Sequence, residues 1–193
     1  MIMVQKYDPE IHHRRSIRLP EYDYAQDGWY YMTICSQNHR CLFGEILQEK
    51  MILNAAGAMI EKWWRKLPEK YPGIQLDEYV IMPNHLHGII VIVGAAPCGR
   101  PNPGTHSVTE SGQPHGVVPT LGTIIGWFKT MSTNEYIRHV KQNGWPAFEK
   151  RLWLRNYYEH IIRKGEELNS IRNYIVENPM RWEEDNNHPN NII

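Results

Sequence analysis

The chain has 193 residues, enough for one domain with a sizeable core but short for two. Lys plus Arg and Asp plus Glu both number 21, so the total charge gives no sign of a nucleic-acid partner, and such a partner would have to meet a local patch. Cys35, Cys41 and Cys98 lack metal-finger spacing and cannot all pair with one another, and the longest apolar run, 88–97, is too short to span a bilayer. A soluble cytoplasmic protein, without a membrane partner, is expected.

Residues 1–27 read as a polar arm in which Arg14, Arg15 and Arg18 gather positive charge. GWYYMTICS (28–36) is aromatic and β-branched and reads as the first strand, and 41–54 as a small hairpin around Gln48, Glu49 and Lys50. Ala56, Met59, Ile60, Trp63 and Trp64 fall at helical spacing over 55–67, with Pro68 closing the pattern; Trp63 and Trp64 read as core. The runs 74–83 and 85–93 form a tight antiparallel pair around Pro83-Asn84. Five Gly and five Pro between Gly94 and Pro119 predict a loop. Leu121, Ile124, Ile125 and Phe128 start a second helix running to about Val140 and carrying Lys129, an ambiguous basic position. A fourth strand is expected over 155–163, a last helix over 165–179, and a frayed acidic tail over 183–193.

The order β-α-β-β-α-β plus a helix predicts an α+β, ferredoxin-like (RRM-like) antiparallel sheet, with two helices on one face and the tyrosine-bearing helix in addition. Residues 28–182 form the expected catalytic domain. That plan serves many activities, so function has to come from a site.

Side chains two apart on a strand share a face, so His85 and His87 converge on one side while Leu86 faces the other. Two imidazoles suit a divalent metal, although an isolated H-x-H pair is more often a polar pair on a solvated face. In the last helix Tyr174 and Asn178, four apart, are neighbours beside the Leu168–Ile171–Ile175 stripe. Tyr174 can serve as a nucleophile and Asn178 as an oxygen ligand, or they can be a packing tyrosine and a helix-end asparagine.

MPNHLHGIIVI (82–92) and IRNYIVENPMRW (171–182) together resemble the HUH and tyrosine motifs of the single-tyrosine transposases. RSIRLPEYDY (15–24) and RNYYEHIIR (155–163) resemble their REP-associated branch. The resemblance implies that His85, His87 and Asn178 bind Mg²⁺ or Mn²⁺, and that Tyr174 attacks single-stranded DNA near a hairpin to leave a 5′-phosphotyrosine. Asn178 stands where compact insertion-sequence members usually have glutamine. Arg14, Arg15, Arg18 and Lys129 are the expected DNA contacts, nucleoid association follows, and a homodimer is one assembly the resemblance admits. Two other readings remain open at this point: a non-catalytic RRM-like binder of single strands, and a metal-dependent phosphoester hydrolase.

Overall fold

The computed structural model describes residues 26–93 and 119–191. Arg14, Arg15 and Arg18, with most of the expected arm and of the 94–119 loop, lie outside the described residues.

Strand β1 (Gly28–Cys35) leads to a two-stranded hairpin, β2 (Gly44–Leu47) and β3 (Lys50–Leu53). Gln48 and Glu49 turn it with φ of 49° and 62°, the left-handed pair that matches strand twist in a two-residue loop. Asn54 caps α1 (Ala55–Arg65), its Oδ1 accepting from the Gly57 amide at 3.0 Å. The expected run to Leu67 is divided: a second short helix, α2 (Leu67–Lys70), takes Pro68 into its first turn, where the missing N–H costs nothing.

Strands β4 (Ile74–Ile81) and β5 (His85–Ile92) are paired as expected, with a register shift between Leu76 and Tyr79. Helix α3 (Leu121–Asn143) runs past Val140 to Gly144, whose φ of 67° closes it. Strand β6 (Tyr158–Ile162) is shorter than the sequence suggested. The carbonyls of Leu154, Arg155 and Asn156 accept from the Lys129 ammonium at 2.9, 3.3 and 3.4 Å, and the Leu154 amide donates to the Cys35 carbonyl at 2.9 Å, so the stretch before β6 is held by α3 and the end of β1. Helix α4 (Gly165–Glu177) passes into a 3-10 turn (Asn178–Glu184) at Pro179.

The main sheet has the order β4-β5-β1-β6 with every neighbour antiparallel, which is the ferredoxin-like plan read from the sequence. Strand alternation sorts its residues onto two faces. Tyr30, Met32, Ile34, Leu86, Ile90 and Ile92 point to α1 and α3 and meet Ile60, Trp64, Ile124 and Phe128 in the principal core. Trp64 lies close enough to β5 that a Cβ at Gly88 would stand 2.5 Å from its ring, so glycine is the residue that admits it. On the opposite face Tyr31, Ile89 and Ile162 pack against Ile175 of α4. With both faces covered, all eight residues of β5 are buried.

Candidate metal centre and tyrosine

His85 and His87 leave the α4 face of β5, opposite Cys35 and Thr33 of β1, and both imidazoles are buried. Their Nε2 atoms approach to 3.0 Å. Each Nδ1 is engaged behind: His85 at 2.7 Å from Asn84 Oδ1, and His87 at 2.8 Å from both Tyr31 Oη and Thr33 Oγ1. Such outer contacts aim a pair of imidazoles at a common point.

Asp185 completes the cluster. Its Oδ2 lies 3.9 Å from His85 Nε2 and 3.8 Å from His87 Nε2, beyond hydrogen-bond length. A circle through these three atoms has a radius of about 2.1 Å, the bond length of magnesium and of nitrogen-ligated divalent metals. The donor set therefore fits a single divalent cation. Asp185 Oδ1 accepts from the Asn187 amide at 2.6 Å, which holds the carboxylate from behind.

Asn178 is buried beside it. Its Nδ2 donates to Asp185 Oδ2 at 3.1 Å, while its Oδ1 is buried with no hydrogen-bond partner. A buried amide oxygen left bare is costly unless something electropositive meets it.

Tyr174 is 40 % exposed and lies on the same side of the sheet, its ring 5.3 Å from that of His87 and 6.4 Å from that of Tyr31, both edge to face. The Tyr174 phenol and the two imidazoles therefore share one face of the sheet within one chain. Arg172, one half-turn earlier on α4, forms a bidentate pair with Asp77 at 2.7 and 2.6 Å and lies over the Trp29 ring. The register shift in β4 falls at Asp77 and Glu78.

Burial sets most of the titration behaviour. It lowers His85 strongly and His87 less, with Asp185 opposing in both cases. Burial would raise the Asp185 carboxyl, but its interactions with His87 and His85, together with the hydrogen bonds from the Asn187 amide and Asn178, outweigh it and hold the acid well below its usual range. The Tyr174 phenol is raised by burial and by the Asp185 charge, with hydrogen bonding from Asn178 and Tyr31 pulling the other way.

Lys129 lies elsewhere. Burial lowers its ammonium to about 8, and its hydrogens are spent on the three carbonyls named above. It lines a groove with Lys150, Arg151 and Arg155 between α3 and the segment before β6.

Asp185 went unread in the sequence. It sits in the stretch expected to fray, yet it is buried, and His188 packs on Trp182, so the 183–191 segment folds back onto the site. A buried histidine pair needs a counter-charge, and EEDNNHPNN offered three acids without periodicity to choose among them.

No family model matches the chain. A protein of Haemophilus influenzae, described as uncharacterized, is 42 % identical over 184 residues, covering 95 % of this chain and 97 % of that one. The chain belongs to that protein's family. Among solved structures it is similar to a REP-associated tyrosine transposase bound to a REP hairpin, with a TM-score of 0.52 and 17 % identity over 87 % of this chain and 74 % of that one. At that identity the likeness is one of fold, and it agrees with the α+β plan that the order of the elements predicts. A structure from Deinococcus radiodurans described as a transposase is 14 % identical with a TM-score of 0.43, covering 85 % of this chain and 98 % of that one, and is too distant to add to the argument. Among the described residues no helix is long and apolar enough to cross a membrane.

Proposed function

We propose that this chain is a transposase that cuts and rejoins single-stranded DNA beside hairpin or palindromic sequences, using Tyr174 as nucleophile. His85, His87 and Asp185 would hold Mg²⁺ or Mn²⁺, with Asn178 Oδ1 as a further donor. The observation that carries this reading is the half-exposed Tyr174 ring, 5.3 Å from the ring of His87, beside the buried His-His-Asp cluster.

When bound, the metal withdraws charge from a phosphate oxygen and so favours attack at phosphorus. The Tyr174 oxygen forms a bond to phosphorus as the bond to the 3′ oxygen breaks, leaving a 5′-phosphotyrosine and a 3′-OH. The proton lost by the phenol is balanced by the one the departing oxygen gains. Burial and the Asp185 charge oppose the phenolate, and hydrogen bonding from Asn178 and Tyr31 offsets part of that opposition. Because the tyrosyl ester retains the energy of the phosphodiester, a second 3′-OH can reverse the step and join a new strand without a nucleotide cofactor. Tyr174 stands beside the histidines of its own chain, which supports action within one subunit.

The groove lined by Lys150, Arg151 and Arg155 supplies positive charge for a phosphate backbone, with Arg14, Arg15 and Arg18 as further phosphate contacts. Lys129 adds charge there while its donors remain engaged. Such a protein would act in the cytoplasm on nucleoid DNA.

Incubation with a labelled hairpin-flanked single strand and Mn²⁺ is expected to give a covalent protein–DNA adduct that Tyr174→Phe abolishes. Tyr158, 54 % exposed and 6.1 Å from the Tyr31 ring, is the control: Tyr158→Phe should retain the adduct. An adduct at full yield from Tyr174→Phe would assign the nucleophile elsewhere. His85→Ala should end metal-dependent cleavage.

A further inference from the structure

Asn84, in the turn between β4 and β5, is fully buried, and its side chain is held at both ends. Its Nδ2 donates one hydrogen to the His39 carbonyl at 3.0 Å and the other to the Asn187 carbonyl at 2.7 Å. Carbonyl oxygens only accept, so the amide cannot be turned round without facing oxygen to two oxygens. Its Oδ1 must therefore be the atom 2.7 Å from His85 Nδ1, and an oxygen there requires His85 to carry its proton on Nδ1. A neutral imidazole protonated at Nδ1 has its lone pair on Nε2, the atom that faces His87 and Asp185.

We propose that Asn84 is a positioning residue that fixes the tautomer of His85, presenting Nε2 as a bare donor before any metal arrives. This rests on the metal reading given above. The same side chain ties His85 to the Asn187 end of the turn that carries Asp185, so one amide sets both the protonation and the spacing of two donors. The neighbouring backbone is pinned as well, by Ser36 N to Asn84 O at 2.8 Å. Outer contacts of this kind change metal affinity about 10- to 100-fold.

The test uses the full chain, labelled with ¹⁵N-histidine and free of metal. Long-range ¹H–¹⁵N spectra are expected to show His85 protonated at Nδ1 and unprotonated at Nε2; a proton on Nε2 overturns the proposal whatever the metal does. Mn²⁺ titration then compares two variants. Asn84→Asp keeps an acceptor for His85 but sets an oxygen against both carbonyls, and should retain the tautomer while losing less Mn²⁺ affinity than Asn84→Ala. Asn84→Ala loses the acceptor too, and should release the tautomer and weaken Mn²⁺ binding by about tenfold or more. Equal losses in both variants would mean a merely structural role and overturn the proposal. Should Asn84→Ala fail to fold, the wild-type spectrum and the Asp variant still decide. A wild-type chain that binds no Mn²⁺ overturns the metal reading, whereas the tautomer is read independently.

Discussion

His85 and His87 are neutral near pH 7 because burial opposes their imidazolium forms, and that has a consequence for stability. Their folded pKa values lie below the ordinary 6.5, so as pH falls the unfolded chain takes up protons that the folded chain refuses. Stability is thus complete above about pH 6.5 and is lost as the pH drops through and below that value. Asp185 acts in the same direction in a lower window, since its carboxyl is depressed and its contribution is lost below the ordinary carboxylate range. For the metal-free protein, the stability derived from urea titration should fall by about 1 kcal/mol or more between pH 7.5 and pH 5.5. His87→Gln should flatten that fall, and a wild-type stability independent of pH over this interval would contradict the buried neutral pair. At this scale His85, His87 and Tyr174 were legible because strand and helix periodicities assign them faces without knowledge of the fold. Asp185 was not, because it follows a proline turn, and only the tertiary path of the 178–187 segment separates it from Glu183 and Glu184.

Helix α4 decides where the tyrosine stands. Its buried contact is narrow, with Ile175 fully buried while Leu168 and Ile171 are partly so. The Arg172 fork on Asp77 supplies the orientation that this apolar stripe leaves loose. The Arg172 hydrogen bond holds the Asp77 carboxyl below its usual range, so this tether persists above about pH 4 and loosens only in acid, leaving neutral pH free of its influence. Arg172→Met keeps an aliphatic stem over Trp29 but removes the fork. Single-turnover adduct formation should slow by about tenfold, as expected for a misplaced nucleophile, with Mn²⁺ affinity unchanged. A parallel loss of affinity would show that Arg172 acts on the metal donors instead. The helix and its stripe were readable from the 3.6-residue period. Its anchor was not, since Asp77 lies at the irregular register of β4, where alternation no longer assigns a face.

Across the whole molecule, β5 is the shared wall between the principal core and the candidate site. Leu86, Ile90 and Ile92 face one side and His85, His87 and Ile89 the other, in a strand with no exposed residue. A strand packed on both faces cannot relax toward solvent, so a volume error on the helix side has to be absorbed by Trp64 or transmitted to the histidines. Gly88 is where this can be measured, because an added methyl would stand 2.5 Å from Trp64 Cζ2 and 3.1 Å from Cη2. Gly88→Ala is expected to cost about 1–3 kcal/mol by overpacking and to weaken Mn²⁺ binding on the opposite face. Trp64 Nε1 is buried without a hydrogen-bond partner, so Trp64→Phe removes the clashing ring edge and orphans no polar group. Alone, Trp64→Phe should destabilise by leaving a cavity. Combined with Gly88→Ala it should restore stability relative to Gly88→Ala, giving a coupling energy of about 1 kcal/mol or more. Stability and Mn²⁺ affinity measured on all four forms would close the cycle. Additive effects would mean that β5 yields locally, and that the core and the site are not coupled through it.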